Sequence, residues 1–247
     1  MFQRVELLTG KDTLEKFKNT KVLVFGLGGV GSWCAEALVR SGIGKIDLID
    51  FDTIAESNLN RQVQANSKNI GQLKAEVLQK RLLEINPACE VNAINKMFSV
   101  ETAAKFDFNN ADYVIDAIDT LQNKLDLIET CCAANITLFS SMGMARKIDP
   151  TQIETASIWK TSNCPLAKLV REGLRKRNFR GDFTVVYSKE NIARKEEIFT
   201  GEILAGEILT DESAAGRKII NGSIVTVTAS AGMILASLVL QDLMRKK

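Results

Sequence analysis

The stretch that decides the fold reads Lys21-Val22-Leu23-Val24-Phe25-Gly26-Leu27-Gly28-Gly29-Val30-Gly31 and continues through a helix and a second strand to Asp50-Phe51-Asp52. Its short β-branched opening predicts a strand that is buried on both faces. Glycines let the backbone approach a phosphate, and the helix that follows offers unpaired N–H groups. An acid at the end of the second strand accepts ribose hydroxyls. This order predicts a nucleotide-binding βαβ unit, whose candidate contacts are Gly26, Gly28, Gly29, Gly31 and Asp50.

The residues after this unit favour ATP over a dinucleotide. Dinucleotide oxidoreductases carry similarly spaced glycines, so the turn alone does not decide between the two. Arg61 and Lys74 follow the acid, and Asp119 closes a later strand. Two cations and a further carboxylate are surplus for NAD, whereas cations hold the phosphates of a triphosphate and a carboxylate holds its Mg²⁺. The pattern predicts an ATP–Mg²⁺ site and leaves an NAD-binding oxidoreductase as the alternative.

Composition excludes several classes of chemistry. The 247 residues include no histidine, which removes histidine bases, histidine metal ligands and Ser-His-Asp catalysis. The net charge of +2 gives no overall field for nucleic acid, so any such binding must come from a local patch. Catalysis must therefore depend on positioning and charge, or on acids, lysine or cysteine.

The cysteines predict a reduced, cytosolic protein. Their number is odd and no C-x-x-C pair is present, which argues against a disulfide framework and a zinc ribbon. The five residues are Cys34, Cys89, Cys131, Cys132 and Cys164. The first four lie in predicted helices or strands, where packing is the simplest role. Cys164 precedes a proline at a predicted helix start, a position that can lower the pKa of a thiol.

Two stretches bear on location. The amino-terminal residues lack the apolar core of a signal peptide, so we expect a cytoplasmic protein. Residues 223–240 carry no charge and approach the length of a membrane span. Because they are rich in serine, threonine and small residues, we interpret them as a strand at 224–228 followed by a helix. We therefore expect no membrane span.

Short buried strands alternate with helices along the first part of the chain. The predicted strands lie at 22–25, 45–50, 89–95, 113–118 and 135–140. This alternation predicts an α/β fold with a doubly wound, Rossmann-like and mostly parallel sheet, whose site lies at the carboxyl ends of the strands.

The pattern changes from residue 147 onward. The predictions there are an antiparallel strand at 152–159, a helix at 165–176, a strand at 183–187 and a loop at 189–222. These elements predict an antiparallel C-terminal extension of the sheet. We expect one domain over residues 1–247, with a nucleotide-binding core at 1–145 and a C-terminal part at 146–247.

Five motifs in one order resemble the adenylation domain of ubiquitin-activating-type enzymes. That superfamily includes bacterial adenylyltransferases that activate sulfur-carrier proteins. The motifs are the glycine turn at 26–31, Asp50-Phe51-Asp52, residues 57–62, residues 71–74, and Asp116-x-x-Asp119. Three later stretches, at 147–153, 165–171 and 224–229, resemble one branch, the tRNA threonylcarbamoyladenosine dehydratases. The resemblance covers most of the chain except the loop at 189–222.

The resemblance implies a role for each candidate residue. It implies that Asp50 binds the ribose, with Asp52 beside it, and that Gly28 and Gly29 face the nucleotide. Further implied nucleotide contacts are Asn58, Arg61, Gln62 and Lys74, of which Arg61 and Lys74 hold the phosphates. Asp119 is the implied Mg²⁺ ligand, and Arg4 is expected to reach the ATP of a partner chain across a homodimer.

The implied reaction suits a chain without histidine. A substrate carboxylate is already ionised near neutrality, so its attack on the α-phosphorus of ATP needs no general base. In the dehydratase branch the carboxylate belongs to a threonylcarbamoyl group on tRNA, and adenylation allows the group to cyclise with net loss of water. Cyclisation from an acyl-adenylate needs no thioester, so we expect no catalytic cysteine.

A basic cluster is the candidate surface for tRNA. Its members fall within thirteen residues and are Lys168, Arg171, Arg175, Lys176, Arg177 and Arg180. Three of them share a helix face by their i+3 and i+4 spacing. A solvated helix face is the competing interpretation, and the resemblance favours contacts to phosphates.

Three other functions remain open at this stage. One is activation of the C-terminal glycine of a sulfur-carrier protein, another is an NAD-binding oxidoreductase, and the third is a non-catalytic member that keeps the nucleotide pocket. A sulfur-relay protein is a possible partner by analogy with relatives.

Overall fold

Seven strands form one mixed sheet in the computed structural model, which describes residues 1–191 and 221–246. The strands are β1 (Lys21–Phe25), β2 (Lys45–Ile49), β3 (Glu90–Ile94), β4 (Tyr113–Asp116), β5 (Thr137–Ser141), β6 (Ile153–Ser157) and β7 (Thr184–Ser188). Their spatial order is β3-β2-β1-β4-β5-β7-β6. All neighbours pair in parallel except β6 and β7, which are antiparallel. The predicted α/β fold with an antiparallel C-terminal extension is confirmed.

Seven α-helices accompany the sheet in the described part of the chain. They are α1 (Gln3–Thr9), α2 (Lys11–Asn19), α3 (Gly31–Arg40), α4 (Lys74–Ile85), α5 (Leu121–Ala133), α6 (Pro165–Lys176) and α7 (Val225–Arg245). Helices α2, α3, α4 and α7 supply buried side chains to one face of the sheet, and α5 and α6 cover the other. Strand β1 faces both layers, because Val22 and Val24 point to the first and Leu23 and Phe25 to the second.

The strand order places a crevice beside β1. The chain moves from β1 to β2 and β3 on one side, then crosses back to β4 and β5 on the other. At such a switch point the connections leave β1 and β4 in opposite directions and open a space at the carboxyl ends of the strands. The glycine turn after Phe25 and the segment after Asp116 both lie there.

The predicted strand at 224–228 is wrong, because these residues form the first turns of α7. Alternating valine and threonine has a high intrinsic preference for strand, but tertiary packing overrides it. Val227 and Thr228 are buried where α7 packs against α3. A Cβ on Gly232 would lie 2.5 Å from the carbonyl oxygen of Val30, so the two helices approach closely at this glycine.

Helix α7 is long and apolar enough to cross a membrane by length and composition. Its inward face is part of the core, since Ala231, Leu235 and Val239 are fully buried against the sheet and α3. This is the packing of a central helix in a globular domain. A buried helix explains the absence of charge in residues 223–240 without a lipid environment.

One helix was not predicted, and one prediction falls mainly outside the described residues. Helix α1 was not anticipated, because a helix with no buried residue has no apolar periodicity to detect. The loop predicted at 189–222 lies mainly outside the described residues, since 192–220 are not part of the description.

Candidate nucleotide site

The glycine turn between β1 and α3 is closely packed at its ends and open in the middle. Gly26 has a φ of +86°, and a Cβ there would lie 2.6 Å from the carbonyl oxygen of Ala117. A Cβ on Gly31 would lie 1.8 Å from the carbonyl oxygen of Gly26, whereas one on Gly28 would meet nothing within 4 Å. Backbone packing therefore requires the outer glycines, and the backbone at Gly28 is accessible to a ligand.

Gly29 brings two distant segments to the turn. A Cβ on Gly29 would lie 3.1 Å from Cγ of Arg61 and 3.1 Å from Oγ1 of Thr228, at the start of α7. The indole Nε1 of Trp33 donates a hydrogen bond of 3.0 Å to the carbonyl oxygen of Arg61. The loop that carries Arg61 and the first turn of α7 thus border the glycine turn.

Asp50 follows β2 and binds the backbone of the turn. One carboxylate oxygen accepts a hydrogen bond from the N–H of Leu27 at 2.6 Å, and the other accepts one from the N–H of Asp52 at 2.8 Å. Burial raises the pKa of Asp50, although the charge of Lys74 and these two donors oppose the rise. The carboxylate is therefore fixed at the edge of the crevice, where the sequence predicted a ribose contact.

Lys74 is the first residue of α4 and is held by Asp52. Its Nζ lies 2.7 Å from a carboxylate oxygen of Asp52. The lysine side chain is only 8% exposed, whereas the aspartate side chain is 48% exposed. The cation is therefore buried, and its anionic partner lies on the solvent side. Asp52 therefore holds the ammonium of Lys74 in place in this structure, and its predicted nucleotide contact stays a prediction.

Arg61 projects from a loop that is held by buried amides. Its Nη1 donates a hydrogen bond of 2.7 Å to the carbonyl oxygen of Ser57. Oδ1 of the buried Asn58 accepts a hydrogen bond of 3.2 Å from the N–H of Ala55, and the N–H of the buried Gln62 donates to the carbonyl oxygen of Asn58 at 3.0 Å. Asn58 and Gln62 thus shape the loop that presents the guanidinium.

Gln64 was not singled out in the sequence but lies beneath the turn. Its Nε2 donates a hydrogen bond of 2.9 Å to the carbonyl oxygen of Leu27. Its Oε1 is buried and has no hydrogen-bond partner among the described residues. An unpaired buried acceptor costs about 1–3 kcal/mol. A water or a donor on a bound ligand would relieve this cost.

The two acids after β4 have different environments. Asp119 is exposed at the rim of the crevice, where its carboxylate accepts a hydrogen bond of 3.5 Å from the hydroxyl of Thr120. Asp116 is fully buried and forms an ion pair of 2.7 Å with Lys124, which is also fully buried. The sequence carried a signal for this lysine: Lys124 shares the buried face of α5 with Ile128 and Cys131 at helical spacing.

The acids of the site suit Mg²⁺ only together with phosphates. The described residues contain no group of three or more carboxylates or thiolates that could hold a metal by themselves. Mg²⁺ is commonly held by one or two carboxylates together with phosphate oxygens and water. Asp119 alone therefore fits a metal that arrives with a bound triphosphate.

Arg4 is not brought to the nucleotide site of its own chain. It is exposed on α1 and lines a depression of about 390 Å³ together with Arg40. Arg40 ends α3, and the glycine turn lies at the other end of the same ten-residue helix, roughly 15 Å away at 1.5 Å per residue. Within its own chain Arg4 therefore lies at the end of α3 that is remote from the glycine turn.

The basic cluster divides into internal and outward-facing charges. Arg177 lies 2.8 Å from a carboxylate oxygen of Asp126 and 2.6 Å from one of Glu129, and Arg171 donates a hydrogen bond to the hydroxyl of Thr161. Lys168 has only a loose contact of 3.9 Å with Glu172. In the part of the chain that the structure describes, no carboxylate forms an ion pair with the three other exposed members, which are Arg175, Lys176 and Arg180.

The cysteines are packing residues in this fold. Four of the five are buried, Cys132 is partly buried, and all five are free thiols. Burial raises the pKa of Cys89 to about 11 and raises the pKa of Cys34, Cys131 and Cys132 as well. A protonated thiol is a weak nucleophile. Cys164 caps the start of α6 with its side chain buried.

A known protein family matches nearly the whole chain. The model of that family, described as the ThiF family, matches residues 2–247. The chain belongs to the ThiF family.

ThiF-family relatives of similar length carry one activity in their names. The tRNA threonylcarbamoyladenosine dehydratase of Bacillus subtilis is 41% identical over 245 residues, covering 99% of this chain and 94% of the relative. A crystal structure of Escherichia coli tRNA N6-threonylcarbamoyladenosine dehydratase in complex with ATP is similar with a TM-score of 0.85 and 33% identity, covering 99% and 94% of the two chains. The AMP complex of the same protein gives a TM-score of 0.86.

Similarity to relatives named as adenylyltransferases and sulfurtransferases is more restricted. The adenylyltransferase and sulfurtransferase MOCS3 of Drosophila yakuba is 34% identical over 134 residues, which is 54% of this chain and 29% of that relative. This match covers little more than half of the chain. The dehydratases, in contrast, match through the C-terminal part as well.

Proposed function

We propose that this protein is an ATP-dependent dehydratase that cyclises threonylcarbamoyladenosine beside the anticodon of tRNA. The observation that carries the proposal is the arrangement at the carboxyl ends of the strands. Gly28 has an open backbone and Asp50 is a fixed acid, while Lys74 interacts with the charge of Asp50 and Arg61 lies beside Gly29. The full-length similarity to dehydratases with ATP and AMP complexes supports the choice of reaction.

The chain supplies charge and position for the adenylation step. The threonyl carboxylate is ionised at neutral pH, and the barrier lies in bringing it against a triphosphate of like charge. Arg61 and Lys74 would neutralise the phosphates and stabilise the charge that develops on pyrophosphate as it leaves. Asp50 would hold the ribose, which fixes the α-phosphorus relative to the carboxylate.

Asp119 is the residue that would hold Mg²⁺. When bound with ATP, the metal would add positive charge between the phosphate oxygens. The exposure of Asp119 at the rim leaves its carboxylate free of any ion pair with the described residues.

Adenylation is followed by ring closure within the substrate. The carboxylate oxygen bonds to the α-phosphorus and pyrophosphate leaves, which gives an acyl-adenylate. A nitrogen or oxygen of the threonylcarbamoyl group then attacks the activated carbonyl carbon, and the C–O bond to AMP breaks. The carboxylate oxygen leaves with AMP and the attacking atom loses its proton, so the modified nucleoside loses one water overall.

A homodimer would complete the site with Arg4. Helix α1 buries none of its residues, and Leu7 and Leu8 are 81% and 85% exposed. A groove of about 690 Å³ between Trp33 and α7 is mainly apolar, and its lining includes Ala229, the neighbour in sequence of Thr228, which lies beside the glycine turn. An exposed apolar helix and an apolar groove beside the site are complementary surfaces, and their pairing would bring Arg4 of one chain toward ATP of the other.

Helix α6 supplies the surface proposed for tRNA. Arg175 lies over the ring of Trp159 at 5.5 Å, which orients its guanidinium outward as a flat cation. Lys168, Lys176 and Arg180 are exposed on the same part of the chain. Arg171 and Arg177 support this surface through their contacts within the protein. We therefore assign the phosphate contacts chiefly to the four exposed residues, which are Lys168, Arg175, Lys176 and Arg180.

Mass spectrometry of tRNA nucleosides tests the function. Incubation of threonylcarbamoyladenosine-containing tRNA with protein, ATP and Mg²⁺ should convert the nucleoside to a product lighter by one water, with AMP and pyrophosphate released. A matched reaction with AMP in place of ATP controls for spontaneous cyclisation. An unchanged nucleoside would refute the proposal.

The alternative is activation of the C-terminal glycine of a sulfur-carrier protein. The similarity of about half of the chain to MOCS3 favours keeping it as a candidate. ATP–pyrophosphate exchange that requires a small carrier protein, and not modified tRNA, would select it. The proposed role includes a cytoplasmic location, which the tRNA substrate supports. It also includes a sulfur-relay partner, which is proposed by analogy with relatives.

A further inference from the structure

A buried ion pair ties three elements together below the rim of the nucleotide site. Lys124 and Asp116 are both fully buried, and Nζ lies 2.7 Å from Oδ2. The same ammonium donates hydrogen bonds of 3.0 Å to the carbonyl oxygen of Ser141 and 3.3 Å to the hydroxyl of Ser140. Ser140 in turn donates a hydrogen bond of 2.6 Å to Oδ2 of Asp116. The network thus joins β4, β5 and the first turns of α5.

The pair brackets the short connection that carries Asp119. At its start, Oδ1 of Asp116 accepts a hydrogen bond of 3.0 Å from the N–H of Ile118. At its end, Lys124 holds α5, which begins at Leu121. Within the connection, Ala117 contacts Gly26 so closely that a Cβ on the glycine would lie 2.6 Å from its carbonyl oxygen. The connection is therefore fixed at both ends and rests on the glycine turn.

Stability alone gives no reason for charges at this place. Replacing a buried ion pair with apolar residues of similar size is often neutral or stabilising, whereas removing one partner is strongly destabilising. A carboxylate left unpaired at position 116 would also be a second negative charge three residues from Asp119. Lys124 matches that charge and keeps Asp116 engaged away from the rim.

We propose that Lys124 is a positioning residue, which holds the connection between β4 and α5 so that Asp119 faces the phosphates bound at the glycine turn. The inference rests on the proposed role of Asp119 as the metal ligand. It adds a specific cause for the position of that carboxylate, namely a buried lysine that never contacts the nucleotide.

The test measures ATP affinity with and without Mg²⁺, because the gain that the metal produces depends on the placement of Asp119. Four variants are compared with the unchanged protein: Lys124→Met, the double variant Lys124→Met/Asp116→Leu, Asp119→Asn, and Lys21→Met. Lys21 pairs with Asp107 at 2.7 Å and with Asp47 at 3.2 Å at the opposite end of β1, so it is the matched control for losing an ion pair in the same sheet. The melting temperature of each variant is measured alongside.

We expect the gain from Mg²⁺ to fall about tenfold in Lys124→Met and in the double variant, the size typical of losing a residue that orients a metal ligand. Asp119→Asn should abolish the gain, and Lys21→Met should retain it despite a lower melting temperature. The double variant should melt above Lys124→Met, because it no longer buries an unmatched carboxylate. It also decides the question if the single variant does not fold.

Two other outcomes overturn the inference in distinguishable ways. In the first, Mg²⁺ raises the ATP affinity of the double variant as much as that of the unchanged protein but no longer raises that of Asp119→Asn. Lys124 would then be a structural residue only, and the metal role of Asp119 would stand. In the second, Mg²⁺ raises the ATP affinity of Asp119→Asn fully, or fails to raise that of the unchanged protein. Either result would exclude Asp119 as the metal ligand and overturn the inference with it.

Discussion

At the residue scale, the ion pair of Lys74 with Asp52 bears directly on the proposed phosphate contact. A free lysine loses side-chain entropy when it binds a phosphate, whereas Lys74 is already held at 2.7 Å by Asp52 with its stem buried. The exposed aspartate can release the ammonium to a stronger anion without any backbone movement. The pair therefore fixes the position of the Lys74 ammonium before any nucleotide binds.

Replacing Lys74 with methionine should weaken ATP binding at least tenfold, because a charge-assisted contact to phosphate is worth about 1.5–3 kcal/mol. Asp52→Asn should have a smaller effect, since the cation remains but is less fixed. Titration calorimetry measures both. Lys80→Met, an exposed lysine on the same helix, is the control and should bind ATP normally. Equal affinities in Lys74→Met and Lys80→Met would exclude Lys74 from the site.

The sequence predicted site residues best where a motif has a fixed place in the βαβ unit. Asp50 and Gly28 lie where the motif requires, because the end of a strand and the start of a helix determine their positions. Gln64 and Lys124 were missed, because their roles come from contacts with the glycine turn and with β5 that no local pattern records. Polar residues buried by tertiary packing are the limit of such prediction.

At the scale of elements, helix α3 is fastened to α4 by one buried acid. Glu36 of α3 is 4% exposed and accepts hydrogen bonds from Arg81 of α4 at 2.6 Å and from Arg40 at 2.8 Å. The contact fixes the helix behind the glycine turn relative to the helix that carries Lys74. Burial raises the pKa of Glu36, but the hydrogen bonds and charges of the two arginines prevail and lower it below its usual value.

Glu36→Gln should reduce stability at neutral pH by about 2 kcal/mol, the typical worth of hydrogen bonds to a charged group. Because the pKa of Glu36 is lower in the folded state, its contribution is present above the unfolded value and is lost as the pH falls through the folded value. The difference between wild type and variant, measured by urea denaturation, should therefore shrink in acid below about pH 4. A difference that stays constant with pH would contradict this account.

Helix α6 offers a test that separates charge from shape. Arg175→Lys keeps the positive charge but loses the flat group over Trp159, whereas Lys176→Gln loses only a charge. We expect Arg175→Lys to weaken tRNA binding severalfold without changing how steeply the logarithm of the binding constant falls with the logarithm of the salt concentration. Lys176→Gln should reduce that slope by about one, because one fewer counterion is released. Filter binding over a range of salt concentrations measures both, and ATP affinity serves as the control. Equal tRNA affinity in all three proteins would remove α6 from the interface.

Local signals determined which elements were predicted well. Both ends of α6 were predicted correctly, because Pro165 is favourable at the first helical position and basic residues favour the last turn. The start of α7 was predicted as a strand, because Val225, Val227 and Thr228 have strand preference and their packing against α3 is not visible locally. The parallel sheet itself was predictable from the alternation of short apolar runs with helices.

At the scale of the whole molecule, the proposed dimer makes each nucleotide site depend on two chains. Leu7→Glu places a charge on the exposed face of α1 and should shift the protein to monomers, as measured by sedimentation. Glu6→Lys, a change to a polar position on the same helix, is the control. Unchanged sedimentation in Leu7→Glu would exclude α1 from the interface.

Mixing two inactive variants tests whether Arg4 acts across that dimer. Arg4→Ala and Lys74→Met should each lack activity, but a mixed dimer would hold one intact site, formed by Lys74 of one chain and Arg4 of the other. Random exchange should restore about a quarter of wild-type activity, because half of the dimers are mixed and each has one working site. No recovery after exchange would place Arg4 outside the catalytic site.

The contact of Thr228 with Gly29 has a consequence for how the protein is made. The first turn of α7 borders the glycine turn, yet α7 follows every other described element in the chain. While the ribosome still encloses this helix, the emerging polypeptide has its signature glycines but lacks one wall around them. We therefore expect the surroundings of the glycine turn to be complete only after translation of α7.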